Sequence, residues 1–373
     1  MAGTSGLSSR SVAVPAASVP ATMKSNSEKV LIVGPSWVGD MVMSQALYIY
    51  LQQSRPGVSI DVLAPAWSEP LLDRMPEVNA ALTKPIGHGE LALGRRRRLG
   101  RQLRSSAYDQ AIILPNSIKA ALVPFLARIP RRTGWRGELR YGLLNDMRRL
   151  DPKALPLMVQ RFVALGQEAG APLPSLLPDP ALSVHPQAAR TCGDHFGLAA
   201  SQPLLALCPG AEFGAAKRWP AEYFAALATK YLEEGWQVGL FGSQRDAEVT
   251  AAIVTAVGDA PGCHDLAGRT SLGQAIDLLS LADAVVSNDS GLMHIAAALQ
   301  RPTLVIYGPT SPDFTPPLTE RAAVQVSRLD CAPCFERECP LQHHRCMREA
   351  LPADVADKLA DLIATDVSRG VTS

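Results

Sequence analysis

Excess charge of one sign and long apolar runs are both absent from this 373-residue sequence. Lysine plus arginine number 36 against 35 for aspartate plus glutamate, so nothing suggests nucleic acid as a partner. No apolar run reaches the roughly 20 residues of a membrane-spanning helix. Residues 1–28 are rich in Ser, Ala, Thr and Pro but lack the apolar core of a secretory signal. We therefore interpret them as a disordered leader and expect a cytoplasmic protein.

Three motifs of nucleotide chemistry are also missing. Neither half of the chain has the Gly-x-Gly-x-x-Gly turn of dinucleotide-binding enzymes, and residues 34–40 also lack the glycine spacing and the lysine of a P-loop. There is no Asp-x-Asp at a strand end to hold a divalent metal against a diphosphate. If the substrate is a nucleotide sugar, cationic side chains and helix N-termini must stabilise the leaving group.

The sequence does contain two series of alternating strands and helices. Proline-rich residues 171–202 separate the series and have the composition of a linker. We predict an α/β protein with two Rossmann-like, doubly wound domains, 29–185 and 186–373, facing a central cleft at the strand carboxyl ends. Short apolar runs predict strands at 29–33, 59–63, 111–114, 204–208, 237–241, 284–287 and 303–307.

The loop after the first predicted strand, residues 34–40, ends in Asp40 at the start of a helix. Aspartate in this position often caps a helix. A carboxylate at the cleft end of a first strand could equally act as a general base. The spacing leaves both interpretations open.

Two loops of the second half have the composition of anion-binding loops. Residues 208–220 combine small residues, two cations and a proline suited to a helix start, although an ordinary surface loop would fit too. In residues 241–246, Asp246 could contact a ribose or only cap a helix. The other candidate contact residues of these loops are Gly210, Lys217, Arg218, Gly242 and Ser243.

Another loop follows the strand predicted at 284–287. Asp289 or Ser290 could cap the next helix, and Gly291 would let a phosphate approach the first N–H groups. The aspartate could instead bind a sugar hydroxyl. His294, one turn later, fits either a buried core histidine or a ligand contact.

Two clusters leave further alternatives open. Four cysteines, Cys331, Cys334, Cys339 and Cys346, fall within sixteen positions and could bind a structural zinc ion. Reduced thiols or a disulfide are the alternatives, since the last spacing is wide for a zinc pair. Arginines are concentrated in residues 95–98 and 128–149. These segments could form a solvated helix face or a surface that binds anionic lipid or phosphate.

Several segments together resemble the bacterial ADP-heptose:lipopolysaccharide heptosyltransferases. The motifs at 34–41, 114–117, 133–137 and 311–317 resemble the heptosyltransferase II group of that family in particular. The wider similar runs are 33–48, 61–78, 114–146, 208–220 and 288–317.

The resemblance implies a GT-B fold and metal-independent, inverting glycosyl transfer without a cofactor. The implied donor is ADP-L-glycero-β-D-manno-heptose, and the implied acceptor is the first heptose of the lipopolysaccharide inner core on Kdo-lipid A. Such an enzyme would work at the cytoplasmic surface of the inner membrane. Another nucleotide sugar or acceptor, or a non-catalytic saccharide-binding protein, is the alternative.

The resemblance also assigns roles to residues. It implies that Asp40 is the general base, Lys217 stabilises the departing ADP, and Asp289 orients the heptose. Ser290 and Gly291 would offer N–H groups to the diphosphate. In our division of the chain into domains, we expect the last helix to pack back on the N-terminal domain. We expect the acceptor to contact Trp37, Asn116, Ser117, Lys119, Arg136 and Arg140.

Overall fold

Two parallel sheets form the centre of the protein. The computed structural model describes residues 27–87 and 90–370, so the predicted leader lies outside the described residues except for Ser27 and Glu28. Within those ranges each sheet has six strands, and the neighbouring strands pair in parallel. The predicted fold class, α/β with two Rossmann-like domains, is confirmed.

The first sheet and its helices contain the N-terminal half of the chain. The strands are β1 (Lys29–Val33), β2 (Ser59–Ala64), β3 (Val78–Thr83), β4 (Gln110–Ile113), β5 (Arg131–Trp135) and β6 (Asp146–Arg148). The helices are α1 (Val38–Ser54), α2 (Glu69–Leu72), α3 (Leu93–Leu103), α4 (Ile118–Leu126) and α5 (Met158–Gly166). The strand order is β3-β2-β1-β4-β5-β6.

The second sheet repeats this arrangement. Its strands are β7 (Leu204–Cys208), β8 (Gln237–Leu240), β9 (Cys263–Asp265), β10 (Ala284–Asn288), β11 (Thr303–Tyr307) and β12 (Ala322–Val326). The helices are α6 (Pro186–His195), α7 (Ala221–Glu233), α8 (Ala247–Val257), α9 (Leu272–Leu279), α10 (Gly291–Ala298), α11 (Arg345–Arg348) and α12 (Pro352–Gly370). The order is β12-β11-β10-β7-β8-β9. None of the described helices combines the length and the apolar character needed to cross a bilayer.

The two domains pack directly on each other through one apolar core. Leu47 of α1, Ile276 of α9 and Ile295 of α10 belong to the same buried cluster. An ion pair joins the domains beside it, with 2.5 Å between the Arg74 guanidinium and the Asp277 carboxylate. This packing brings the carboxyl ends of both sheets to a common cleft.

The last helix, α12, differs from its predicted position on the N-terminal domain. Its apolar residues Val355 and Leu359 are buried in the core of the second domain. The Lys358 ammonium donates to the carbonyl oxygen of Val324 in β12, 3.1 Å away. The helix therefore packs on the second domain, because its apolar stripe completes the cover of that sheet.

Candidate active site

Four of the segments singled out in the sequence lie at the points where strand order reverses in each sheet. In the first sheet the reversal falls between β1 and β4, which are followed by residues 34–37 and 114–117. In the second it falls between β7 and β10, followed by residues 209–220 and 289–290. Doubly wound sheets bind their ligands outside these carboxyl ends. All four loops border the cleft between the domains.

Two glycines allow α1 and α10 to approach across this cleft. A Cβ atom on Gly39 would lie 2.6 Å from Cδ2 of His294, and one on Gly291 would lie 2.7 Å from Cβ of Val38. Neither distance is compatible with a real side chain. Glycine at both positions is therefore a requirement of the interdomain contact, beyond any effect on helix propensity.

We expect Gly39→Ala to lower kcat/KM on the order of 10–100-fold, because the added methyl group separates Asp40 from the second domain. Alanine is intrinsically a better helix former than glycine, so helix propensity predicts no such loss. Gly94→Ala is the matched control, since nothing lies within 4 Å of the Cβ position at Gly94 in α3. Equal activities of both variants and the wild type would show that the close contact has no catalytic importance.

Asp40 lies in the first turn of α1, where Trp37 is the N-cap residue. The capping interpretation is therefore wrong. Among the described residues, none donates a hydrogen bond to the Asp40 carboxylate. Burial raises the pKa of Asp40 from 3.8 to about 6, and the nearby Lys217 ammonium opposes part of this rise. A carboxylate with a raised pKa and no fixed partner suits proton abstraction near neutral pH.

The pKa of Asp40 predicts the pH dependence of the reaction. A general base works in its ionised form, so kcat/KM should rise with pH through about 6 and stay level above it. Below that pH it should fall about tenfold per unit. Initial rates from about pH 4.5 to about pH 8.5 test this. A value of kcat/KM that stays level down to about pH 4.5 would place the inflection near the ordinary aspartate value of 3.8 and would contradict the buried setting of Asp40.

Lys217 forms the cationic centre of the second domain. It ends a short helical turn after β7, and its ammonium lies 2.5 Å from Oδ2 of Asp289. The same oxygen accepts a hydrogen bond from the Thr310 hydroxyl at 2.7 Å. The Lys217 ammonium also lies 4.9 Å from the ring centre of Phe213, a cation–π contact. The sequence indicated Lys217 and Asp289 but gave no sign of Thr310 or Phe213.

Asn288, at the end of β10, holds the Lys217 loop in place. Its amide nitrogen donates to the carbonyl oxygen of Pro209 at 2.7 Å, and its amide oxygen accepts from the N–H of Trp219 at 3.1 Å. One buried side chain thus ties both ends of the loop to the neighbouring strand. This function could not be inferred from the sequence, because it depends on β7 and β10 being adjacent.

His294 is buried in α10 with its ring against Gly39. Burial lowers the pKa of His294 to about 4, so the imidazole is neutral at physiological pH. Asp289 and Lys217 are both close enough to affect this pKa. The ring therefore lies between the first turn of α1 and the Lys217–Asp289 pair, in a buried position that fits the core-histidine alternative, and contact with a donor remains a prediction.

Asp246 lies beneath the Lys217 loop. Its carboxylate accepts hydrogen bonds from the N–H of Ser243 at 2.9 Å and from the Ser243 hydroxyl at 2.8 Å. A Cβ atom on Gly210 would lie 2.6 Å from that carboxylate, and one on Gly242 would lie 2.8 Å from Cβ of Asp246. Both glycines let the loops after β7 and β8 close over this acid. Arg218 follows Lys217 in the loop after β7, and its buried Nε atom has no hydrogen-bond partner among the described residues.

Five of the six predicted acceptor residues lie at the cleft edge of the first sheet with accessible side chains. Trp37 directly precedes α1 and is 43% exposed. Asn116 and Ser117 follow β4, and the Ser117 hydroxyl caps α4. Lys119 lies half-buried in the first turn of that helix, and Arg136 is exposed after β5. These positions suit an acceptor, and acceptor binding by them remains a prediction.

Arg140 does not fit the predicted acceptor role. It is fully buried, and its guanidinium donates to the carbonyl oxygens of Pro115 and Trp135. It also donates to the side-chain oxygen of Asn116 at 3.4 Å. Arg140 therefore positions the loop that carries Asn116 and cannot itself face a ligand. Its burial is not evident from the sequence, where it stands in an arginine-rich segment.

The family profile of glycosyltransferase family 9 (heptosyltransferase) matches residues 96–345. The chain belongs to this family. It is 54% identical to lipopolysaccharide heptosyltransferase 2 of Escherichia coli K12 over 79% of this chain and 87% of that protein. It is 49% identical to lipopolysaccharide heptosyltransferase 2 of Salmonella typhimurium over 91% of this chain and 99% of that protein.

Solved structures of the family agree with this assignment. The structure of E. coli ADP-heptose lipopolysaccharide heptosyltransferase II superposes with a TM-score of 0.83 at 46% identity, covering 91% of this chain and 99% of that one. A family 9 glycosyltransferase from Veillonella parvula shares the fold, with a TM-score of 0.80 at 18% identity over 92% of this chain and 99% of that one. The protein is a heptosyltransferase with the two-domain GT-B architecture.

The cysteine cluster of this heptosyltransferase lies between β12 and α12. Cys331, Cys334, Cys339 and Cys346 are free thiols, so the disulfide alternative is wrong. In the part of the chain that the structure describes, no group of three or more His, Cys, Asp or Glu side chains could hold a metal ion. Zinc binding by the cluster therefore remains a prediction.

Proposed function

We propose that this heptosyltransferase transfers heptose from ADP-L-glycero-β-D-manno-heptose to the first heptose of the lipopolysaccharide inner core, with inversion and an α-1,3 linkage. The observation that carries the proposal is the position of Asp40 near Lys217, which is itself paired with Asp289, together with a pKa of Asp40 raised to about 6. The names of the relatives support the substrates, since they act on lipopolysaccharide and one is an ADP-heptose enzyme.

The proposed reaction is a single displacement. Asp40 takes the proton from the acceptor hydroxyl while that oxygen bonds to the anomeric carbon of the donor. The bond between the anomeric carbon and the phosphate oxygen breaks on the opposite face, and ADP leaves with the electron pair. Inversion follows because only one substitution occurs at this carbon. The enzyme needs no nucleophile of its own.

Lys217 and the N-terminus of α10 would stabilise the departing diphosphate. The Lys217 ammonium supplies a positive charge. Ser290 directly precedes α10 and Gly291 begins it, so the N–H groups of this first turn would bind the diphosphate. Asp289 would hold the heptose hydroxyls, and Asp246 the ribose. We propose that these groups make a divalent metal unnecessary, in agreement with the lack of an Asp-x-Asp motif.

The test is transfer from ADP-heptose to two purified acceptors in EDTA, Kdo-lipid A with and without its first heptose. We expect a product only with the heptosylated acceptor, and at an unchanged rate when magnesium replaces EDTA. Transfer to the unheptosylated acceptor alone would overturn the acceptor assignment. No transfer from ADP-heptose by a folded protein that uses another nucleotide sugar would overturn the donor assignment.

We further propose that α3 places the enzyme on the cytoplasmic surface of the inner membrane. Arg97, Arg98 and Arg101 on this helix are exposed, and the helix carries no acidic residue. Leu91 and Leu93, beside its N-terminus, are also exposed. Exposed arginines beside exposed leucines suit an anionic lipid surface. The lipid-linked acceptor would then approach at the cleft edge where α3 begins.

Reversing these three charges to glutamate should weaken binding to anionic vesicles on the order of 100-fold, since each cation contributes separately to the attraction. Transfer to a detergent-dispersed acceptor should stay within about twofold of wild type, because the three side chains are exposed and are not among the proposed site residues. The matched control reverses the exposed Arg190, Arg328 and Arg348 of the second domain. Equal loss of vesicle binding in both variants would mean that net charge alone, without an α3 surface, is responsible.

A further inference from the structure

The two oxygens of the Asp289 carboxylate differ in their surroundings. Oδ2 accepts hydrogen bonds from the Lys217 ammonium at 2.5 Å and from the Thr310 hydroxyl at 2.7 Å. Oδ1 accepts none from the described residues, yet it is not among their buried unpaired polar atoms. Oδ1 therefore lies on the solvent side of the site. The carboxylate is held through Oδ2, and Oδ1 is left available to accept a hydrogen bond from a ligand.

Sheet topology brings Thr310 to this position. Asp289 directly follows β10, and Thr310 comes three residues after the neighbouring strand β11. The N–H of Asp289 donates to the carbonyl oxygen of Ile306 at 3.2 Å. The Tyr307 hydroxyl donates to the carbonyl oxygen of Thr315 at 2.7 Å, which closes the loop that carries Thr310. The Thr310 side chain is buried, so its hydroxyl has a fixed place.

We propose that Thr310 is a positioning residue for the donor sugar, an inference that rests on the proposed function. Its hydroxyl fixes the Asp289 side chain so that Oδ1 faces the heptose hydroxyls. The Lys217 ammonium cannot do this alone, because it must also neutralise the diphosphate of the donor. The Thr310 hydrogen bond does not depend on the diphosphate and holds the carboxylate when Lys217 turns toward it.

This role predicts a defect that depends on the sugar. Thr310→Val replaces the hydroxyl by a methyl group of similar size, so Asp289 loses its second anchor. We expect the affinity for ADP-heptose to fall about tenfold, the effect of one hydrogen bond to a charged group. The affinity for ADP should stay within about twofold of wild type, since ADP has no heptose for Asp289 to hold. Thr310→Ser, which retains the hydroxyl, should bind both ligands as the wild type does.

The experiment is calorimetric titration of wild type, Thr310→Val and Thr310→Ser with ADP-heptose and with ADP, without acceptor. If the role of Thr310 were merely structural, Thr310→Val would lower the affinities for ADP-heptose and for ADP by the same factor, and this result would overturn the proposal. Unchanged binding of ADP-heptose by Thr310→Val would overturn it as well. If the wild type binds ADP but binds ADP-heptose no more specifically than an unrelated ADP-sugar, the proposed function fails, and the inference with it.

A double-mutant cycle with Asp289→Ala gives an independent readout. If Thr310 acts through the Asp289 carboxylate, adding Thr310→Val to Asp289→Ala should change ADP-heptose affinity by less than about twofold. A further tenfold loss in the double variant would show that Thr310 acts by another route and would overturn the proposal.

Discussion

Replacing Asp40 with asparagine is expected to lower kcat for heptose transfer by about 10²–10⁴-fold, the usual contribution of a general base. Asparagine has nearly the same shape but cannot accept the proton of the acceptor hydroxyl. Its neutral amide also avoids the desolvation that raises the pKa of the aspartate. The loss should therefore appear in kcat, with thermal stability equal to or above that of wild type.

ADP affinity separates this catalytic defect from a general one. Asp40→Asn should bind ADP within about threefold of wild type, because the carboxylate belongs to the acceptor side of the cleft. Asp73→Asn, at an exposed aspartate of the same domain, is the matched control and should keep full activity. A variant at Asp40 that keeps more than about a tenth of wild-type kcat would show that another group accepts the proton.

Replacing Lys217 with alanine is expected to lower kcat by about 10²–10³-fold, as the loss of one charged contact to a leaving group does. Lys217 also lowers the pKa of Asp40. Its removal should therefore move the inflection of the pH–rate profile to higher pH. A reduced rate together with a shifted inflection is a signature that simple misfolding would not produce.

Lys230→Ala is the control for the lysine substitution. Lys230 is on α7 and pairs with Glu234 at the surface, 2.5 Å away. Its replacement should change neither kcat nor the inflection. If Lys217→Ala reduces the rate but leaves the inflection in place, the interaction of Lys217 with Asp40 is absent in the working enzyme. Restoration of the rate by added magnesium would instead reveal a metal route for the leaving group.

The strands that the sequence predicted all lie in the interior of their sheets, with a paired strand on each side. β1, β7, β10 and β11 are nearly or wholly buried and read as continuous apolar runs. The edge strands β3, β6, β9 and β12 were missed, because partly exposed strands need no such run. β5 was also missed, since Arg131 and Arg132 conceal a strand whose last three residues are buried.

The site could be predicted from the sequence only in part. Asp40, Lys217 and Asp289 could be singled out because each comes shortly after a strand, where parallel sheets bind ligands, and the family resemblance then supplied their roles. The functions of Asn288 and Thr310 depend on which strands are neighbours, and short segments do not encode strand order. Arg140 shows the opposite error, since an arginine among arginines was expected at the surface but is buried.

The anomeric configuration of the new linkage tests the central claim most directly. Wild-type enzyme, ADP-L-glycero-β-D-manno-heptose and the heptosylated acceptor would be incubated together, and the purified product examined by NMR. One displacement assisted by Asp40 predicts an α-linked heptose, inverted relative to the β-configured donor. A β-linked product would require a second displacement or front-face attack, and would contradict the role of Asp40 as the base of an inverting transfer.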